Sequence, residues 1–431
     1  METSKVLSAL ASSEEVRELA KRIRTGKAKE LRADGLCGSS VALLLASIMS
    51  GRGNYPNMLV VMNDMDDAGY LYHDLTQMMG DERVLFFPSS YKRAIKYNQK
   101  DAGNEILRMQ TLSLTLPRNG EGSHAESLPT VNTPDGSPHH GGDVRKDREG
   151  LLIVTYPDAL AERVVSKKEL DDNTLTVKVG DEFDISELEK RIFELGFEHT
   201  DYVYEPGQFA IRGSIVDVYS FSSDMPYRID FFGDEVDSIR SFDVQSQLSQ
   251  GKVEMMTIVP EMKTDGTEYI SFLEFLPKDT VIVAPNLAYV CDKIAQIHKE
   301  GFSSQAQFEA DTNAETLVKS FIIDETTFLK QIVQFRRLEL KNTRTSEEKA
   351  IHFNTSPQPL FHKNFDLVSQ EFHRLMDEGY KICIFADSEK QIARLQNILE
   401  ELGMRNEEPL ARRSQLGINT HSSAEHSIPH S

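Results

Sequence analysis

Hydrophobic positions in the first 165 residues alternate between short apolar runs and helical stripes. Apolar residues at helical spacing from Val6 to Ile23 predict a helix over residues 5–30. Fully apolar runs of four to six residues then predict buried strands, and stripes of period three to four predict helices. The predicted strands are 57–62, 84–87 and 151–155, and the predicted helices are 41–49, 66–79 and 103–116. This alternation is typical of an α/β domain with a largely parallel sheet.

The same pattern returns after Pro260. Predicted strands there are 280–284, 317–322 and 381–386, and predicted helices are 288–300, 364–378 and 389–402, the last closed by Gly403. The stretch between the two α/β parts differs, because it combines one strand at 175–179, one helix and several short strands. Ser186 and Glu189 predict a capping box at the start of that helix, and Gly196 predicts its end.

Residues 204–243 carry the turn signals of a small antiparallel unit. Pro206-Gly207 predicts a type II turn, and a strand containing Phe209, Ile211 and Ile215 is expected to follow it. Two further strands, 227–232 and 236–242, flank the predicted hairpin loop Gly233-Asp234-Glu235. We therefore predict an α+β domain over 166–258, inserted into a discontinuous α/β domain formed by 1–165 and 259–403.

Two segments lack any apolar periodicity. Residues 117–149 are rich in Pro, Gly, Ser and Asp and are predicted to be a flexible surface insert, and residues 404–431 are predicted to be a disordered tail. The insert contains His124, His139 and His140, but no partner ligands occur at a suitable spacing. We therefore expect a solvated loop there and no metal site.

Composition narrows the class of protein. The chain has 431 residues and a formal charge of −20, which disfavours sequence-independent DNA binding and suits a partner with a basic surface. Cys37, Cys291 and Cys383 are far apart and odd in number, which indicates reduced thiols. No membrane-length apolar run and no signal peptide are recognisable, so a cytoplasmic protein is expected.

The segment ADGLCGSSVALLLA stands where a phosphate-binding loop would stand in a P-loop NTPase-like domain. Gly35 and Gly38 match the loop, but Val41 and Ala42 occupy the positions that need Lys and Ser/Thr for the phosphates and magnesium. Ser39 is at most part of a weak anion site at the helix N-terminus. Residues 284–286 likewise lack the acidic end of a Walker B strand. We therefore expect a degenerate loop, no bound cofactor and no ATP hydrolysis.

A family resemblance adds to this interpretation. The segments PGQFAIRGSIVDVY and PYRIDFFGDEVDSIRSFD resemble the UvrB-interaction domain shared by the excision-repair protein UvrB and transcription-repair coupling factors. The resemblance extends over about residues 1–403, and the degenerate GLCGSSVA favours the coupling-factor family, whose UvrB-like module has lost its ATP site. It implies a non-catalytic, UvrA-recruiting adaptor in transcription-coupled nucleotide excision repair.

The resemblance also implies partners and contact residues. UvrA is the partner expected for the small domain, whereas RNA polymerase and double-stranded DNA are partners of the complete family protein, whose motor domains use ATP. Phe209 and Arg212 fall on the shared motif for UvrA contact, and Arg228 and Arg240 on neighbouring strands are further candidates. The alternatives are a core position for Phe209 and ordinary surface charges for the arginines.

Alternative functions fit the sequence less well. UvrB carries additional basic residues where this chain has Glu205 and Pro206, and that departure weakens the expected contact. An ATP-dependent UvrB-like DNA repair or helicase component is the alternative function, and an autoinhibitory remnant is a third. The acidic residues around the 233–235 loop lack a nearby His or Lys, so no nuclease or metal site is expected there. The missing motor and polymerase-binding parts predict a fragment or a truncated reading frame.

Overall fold

The computed structural model describes residues 3–51, 54–90, 102–115, 150–261, 268–300, 322–342, 350–362, 364–384 and 388–401. In chain order, the strands are β1 (Glu30–Asp34), β2 (Met58–Val61), β3 (Val84–Phe86), β4 (Leu152–Thr155), β5 (Val164–Val165), β6 (Leu175–Lys178), β7 (Glu198–His199), β8 (Gln208–Arg212), β9 (Ile215–Val218), β10 (Tyr227–Phe232), β11 (Glu235–Phe242), β12 (Ser249–Val253), β13 (Met255–Ile258), β14 (Tyr269–Ile270), β15 (Val281–Ala284), β16 (Arg336–Leu340) and β17 (Ile351–His352). The helices are α1 (Thr3–Ala11), α2 (Glu14–Thr25), α3 (Ser40–Met49), α4 (Met65–Met79), α5 (Ala102–Thr115), α6 (Pro157–Ala161), α7 (Lys167–Asp172), α8 (Ile185–Glu194), α9 (Phe272–Phe275), α10 (Leu287–Glu300), α11 (Glu325–Ile332), α12 (Phe365–Asp377) and α13 (Glu389–Glu401).

The larger of the two main sheets has seven parallel strands. Its strand order is β17-β1-β16-β15-β2-β4-β3, and every pairing between neighbours is parallel. All residues of β2, β4 and β15 are buried, as expected for parallel strands covered on both faces. The predicted α/β class with a large parallel sheet is confirmed, and so are the predicted strands at 57–62, 84–87, 151–155 and 280–284.

A second sheet lies, in sequence, between β4 and β15 of the first. It has six strands in the order β12-β11-β10-β9-β8-β7, antiparallel except for the short β7–β8 pair. The predicted strands at 227–232 and 236–242 and the turn at Gly207, whose φ is +88°, are confirmed. One hydrophobic cluster contains residues from 7 to 170 and from 259 to 351, whereas another contains residues from 175 to 258 only.

Several sequence predictions were wrong in detail. The helix predicted over 5–30 is two helices, because α1 ends at Ala11 and Ser13 caps α2, with its Oγ accepting the Val16 N–H. The strand expected around Phe209 and Ile215 is two strands, which turn at Gly213 with φ +64°. Ser186 is not the cap of α8, because Asp184 takes that position and accepts from two backbone N–H groups.

The C-terminal half also differs from expectation. Residues 381–384 of the predicted strand 381–386 have no regular structure, and Arg336–Leu340 is a strand that apolar periodicity did not reveal. The predicted helices at 364–378 and 389–402 are present as α12 and α13. The 117–149 insert with its three histidines, most of the 317–322 strand, Gly403 and the 404–431 tail lie outside the described residues.

Candidate functional site

The smaller sheet has one apolar face and one polar face. Phe209, Val216, Ile229 and Ile239 are buried in the cluster that also contains the inward residues of α8, so α8 packs on that face. The opposite face is defined by the register of the strands, because residues paired across neighbouring strands share a face. One row across it consists of Ala210, Asp217, Arg228, Arg240 and Lys252.

Asp217 is the centre of this polar face. Its side chain is fully buried, and its carboxylate accepts hydrogen bonds from two arginines on neighbouring strands. Arg212 Nη2 donates to Oδ2, and Arg228 donates through Nε to Oδ1 at 2.8 Å and through Nη2 to Oδ2 at 2.9 Å. A buried carboxylate is tolerable only when it is paired in this way, so Asp217 fixes both guanidinium groups in place.

Arg212 is held on three sides and still reaches the surface. Besides Asp217, its Nη1 donates to the Asp201 carbonyl at 2.9 Å, and its guanidinium lies 5.0 Å from the centre of the Tyr202 ring. Its side chain keeps 34% of its exposure. The arginine of the QFAIR strand is therefore an ordered cation with free surface on the polar face.

Arg228 and Arg240 also make internal contacts, and Arg228 is more deeply covered than Arg212. The Arg228 guanidinium covers the Phe242 ring at 4.6 Å and donates to the Gln247 carbonyl at 3.3 Å. Its hydrogen bonds to Asp217 raise its pKa above the ordinary arginine value. Arg240 pairs with Asp230, which also accepts from Ser238 at 3.2 Å. Of the two, Arg228 is the more deeply covered, so it contributes to the sheet more than to the surface.

Two loops border the polar face and are tied to it by glutamines. Gln247 has φ +57°, an uncommon value for a residue other than glycine, and its Nε2 donates to the Val203 and Val244 carbonyls. Gln208 Oε1 accepts from the backbone N–H groups of Tyr204 and Glu205. Loops 200–206 and 243–248 are therefore ordered parts of this face.

The four contact residues predicted from the sequence lie in two different environments. Phe209 is fully buried, which corresponds to the core alternative, while Arg212, Arg228 and Arg240 lie together on the polar face. Sequence reasoning missed Asp217 and Tyr202. Asp217 interrupts the apolar run IVDV, and a charged residue in a buried strand is the signal that points to an ion-paired site.

The segment 35–39 lies between β1 and α3, and the chain that follows β17 packs against it. Gly35 has φ +74°, and a Cβ added there would lie 2.0 Å from the Phe353 carbonyl oxygen. The Cys37 N–H donates to Ser40 Oγ at 2.9 Å and to Thr355 Oγ1 at 3.0 Å. Gly38 precedes α3 with φ +55°. One backbone donor of this segment, the Cys37 N–H, is thus used by the protein's own hydroxyl groups.

The neighbouring strand ends are also internally satisfied. Asp34, at the end of β1, is buried and binds His352 Nδ1 of β17 at 2.5 Å. Asn286, after β15, accepts the Tyr289 N–H at 3.1 Å and caps the start of α10. Across the described ranges, no group of three or more His, Cys, Asp or Glu side chains is arranged to hold a metal ion. No helix in those ranges is long and apolar enough to cross a membrane.

The smaller sheet lies in a region of the chain that matches a known protein family. Residues 175–263 match the family model described as the UvrB interaction domain, which confirms the resemblance seen in the sequence. This range contains the polar face, both bordering loops and α8.

Similarity to characterised proteins extends beyond that domain. The chain is 21% identical to the transcription-repair-coupling factor of Bacillus subtilis (strain 168), over 91% of this chain and 36% of that protein. It is 38% identical to the factor of Escherichia coli (strain K12), over 56% of this chain and 18% of that protein. The corresponding values for Staphylococcus haemolyticus (strain JCSC1435) are 23%, 80% and 32%. The chain thus spans about a third, or less, of the length of the curated relatives it matches.

Proposed function

We propose that this chain, which carries a UvrB interaction domain and is related to transcription-repair-coupling factors, is an adaptor that recruits UvrA in transcription-coupled nucleotide excision repair. The observation that carries the proposal is the ordered, partly exposed Arg212 within the matched range. Its planar guanidinium suits bidentate pairing with a carboxylate of a partner.

The geometry of the polar face supports a role in protein binding and not in catalysis. Asp217, the Asp201 carbonyl and the Tyr202 ring already hold Arg212 in one position. An interface side chain that is ordered before binding loses less conformational entropy when the partner arrives. The polar face therefore has the properties of a preformed protein-binding surface.

We also propose the domain organisation that the two hydrophobic clusters support. In this division, residues 166–258 are a small domain inserted into an α/β domain made of 1–165 and 259–403. The separate cluster of residues 175–258 favours this division. Limited proteolysis that releases a folded fragment of about residues 166–258 is the expected result, and cleavage scattered through β8–β11 would contradict the division.

We further propose that the α/β domain is a P-loop NTPase-like domain that no longer uses ATP. Val41 and Ala42 supply neither a cation for phosphates nor a magnesium ligand. The Cys37 N–H is already bound to Ser40 and Thr355, and the Phe353 carbonyl lies against Gly35. Calorimetric titration with magnesium and ATP is expected to give no heat of binding, whereas tight magnesium-dependent binding would favour an ATP-driven UvrB-like component instead.

A pull-down with purified UvrA tests the adaptor proposal. The immobilised full chain is expected to retain UvrA, and the Arg212→Ala chain is expected to retain much less. Arg191→Ala is the matched control, because Arg191 is an exposed arginine on α8, which packs on the opposite face of the same sheet. No retention by the wild-type chain, or equal retention by Arg212→Ala, would remove the claim.

A further inference from the structure

Tyr202 and Arg212 form one rigid unit at the edge of the polar face. The Arg212 guanidinium lies 5.0 Å from the centre of the Tyr202 ring, although Tyr202 is still 51% exposed. Thr200 Oγ1 donates to the Tyr202 carbonyl at 2.9 Å, and Arg212 Nη1 donates to the Asp201 carbonyl at 2.9 Å. The backbone beside the ring is therefore held by two hydrogen bonds, and the guanidinium lies over the ring.

The same two loops expose further apolar side chains. Tyr204 is 56% exposed and Leu248 is 69% exposed, and the loops that carry them are joined by the hydrogen bond from Gln247 to the Val203 carbonyl. Tyrosine and arginine are the residue types enriched at the centres of protein interfaces, where they contribute most of the binding energy. Neither Tyr202 nor the two other side chains belongs to the GQFAIRG motif that identifies the domain.

We propose that the Tyr202–Arg212 pair is the centre of the contact with UvrA, with Tyr204 and Leu248 at its border. The proposal rests on the adaptor function proposed above and extends it from a single arginine to a mixed aromatic and cationic surface. This surface fits a partner that presents a carboxylate beside an apolar pocket. The carboxylate pairs with Arg212, and the pocket takes the exposed part of the Tyr202 ring.

The charges around Arg212 favour such a partner. Arg212 donates one N–H of Nη1 to Asp201 and one of Nη2 to Asp217, so a guanidinium retains further N–H groups for an incoming acceptor. The Asp217 charge is shared with Arg228, which lies beside it and is more deeply covered. The cationic group that reaches the surface next to Tyr202 is Arg212, so a partner carboxylate placed there meets its guanidinium.

Two roles of Tyr202 give different results in a binding titration. If Tyr202 contacts UvrA directly, its removal lowers the affinity but leaves the salt dependence that Arg212 produces. If Tyr202 only positions Arg212, its removal lowers the affinity and also flattens the salt dependence. The affinity of the full chain for purified UvrA is therefore measured at low and at high salt.

The variants are Tyr202→Ala, Tyr202→Gln and Tyr202→Phe, with Phe193→Ala as the matched control. Phe193 is an aromatic residue that is 65% exposed on α8, on the opposite side of the same sheet. Removal of the ring is expected to weaken UvrA binding by about 10-fold to 100-fold at either salt concentration, as for an interface centre. Tyr202→Phe and Phe193→Ala are expected to remain within about threefold of the wild-type chain.

The outcomes separate this proposal from the one it rests on. Wild-type binding together with unchanged binding of Tyr202→Ala and Tyr202→Gln overturns the role of Tyr202 and leaves the adaptor function standing. A flattened salt dependence in both ring-less variants also overturns direct contact. An equal loss in Phe193→Ala overturns the location of the contact. Absence of binding by the wild-type chain overturns the adaptor function and this proposal together.

Discussion

Asp217 is the residue on which the order of the polar face depends. Replacing it with Asn keeps the size of the side chain but removes the negative charge that two arginines share. Asn also presents one oxygen instead of two, and its NH₂ group faces N–H donors. Arg212 and Arg228 are then left close together without a balancing charge.

The structure sets the size of the effect. The carboxylate is fully buried and accepts one hydrogen bond from Arg212 and two from Arg228. Removing one partner from a buried ion pair costs about 3–5 kcal/mol, because an uncompensated charge remains inside the protein. Asp230→Asn is the matched control, since Asp230 lies on the same face, pairs with one arginine and is partly exposed. A partly exposed pair is worth about 1 kcal/mol or less.

Urea unfolding combined with hydrogen exchange measures the difference. With a slope of roughly 2 kcal/mol per molar urea, Asp217→Asn is expected to lower the urea midpoint for unfolding of the smaller sheet by about 2 M. Asp230→Asn is expected to lower it by about 0.5 M or less. Faster exchange is expected for the amides of β9 and β10 and not for those of β2 and β4. Equal effects of the two substitutions would refute the central role assigned to Asp217.

Two further predictions concern the larger domain. Burial raises the pKa of Tyr156 to about 12. Because the folded-state pKa is raised, the neutral phenol stabilises the fold fully at pH values below the unfolded-state pKa near 10. That stabilisation is lost as the pH rises from 10 to 12, so about 3 kcal/mol of stability should disappear in this window. Tyr156→Phe should remove this part of the alkaline slope, and an unchanged slope would contradict it. Gly35→Ala should destabilise the protein by more than about 2 kcal/mol in thermal or urea unfolding, because the new Cβ meets the Phe353 carbonyl at 2.0 Å. Gly38→Ala, which has a positive φ but open space, should cost about 1 kcal/mol, and equal losses would contradict the close approach.

The larger sheet was predictable from sequence wherever its strands are apolar throughout. β2, β4 and β15 are buried on both faces, and such strands produce unmistakable runs of Val, Ile and Leu. β16 was missed because its sequence RRLEL alternates, although it pairs with β1 and β15 within the sheet. Arg336 reaches the Ile23 and Asp279 carbonyls, and Arg337 pairs with Glu30. Long charged side chains can thus reach hydrogen-bond partners at the end of a covered strand. Apolar periodicity does not identify a strand of this kind.

The polar face was only partly predictable. The motif supplied Arg212, and the strands predicted next to it supplied Arg228 and Arg240. Alternation cannot tell that Arg228 is committed to Asp217 and the Phe242 ring, because those contacts depend on the register between strands. Tyr202 lies in a loop without periodicity. Its position beside Arg212 depends on the hydrogen bond from Arg212 Nη1 to the Asp201 carbonyl, which joins a loop to a strand and is not evident from local sequence.

The affinity of the full chain for purified UvrA, measured by calorimetry for the wild-type and Arg212→Ala proteins, tests the central claim most directly. The account predicts saturable binding by the wild-type chain and a loss of at least about 10-fold, or 1.4 kcal/mol, on removal of Arg212. Arg191→Ala should bind as the wild type does. Wild-type binding that is absent, or that is unaffected by Arg212→Ala, would contradict the claim.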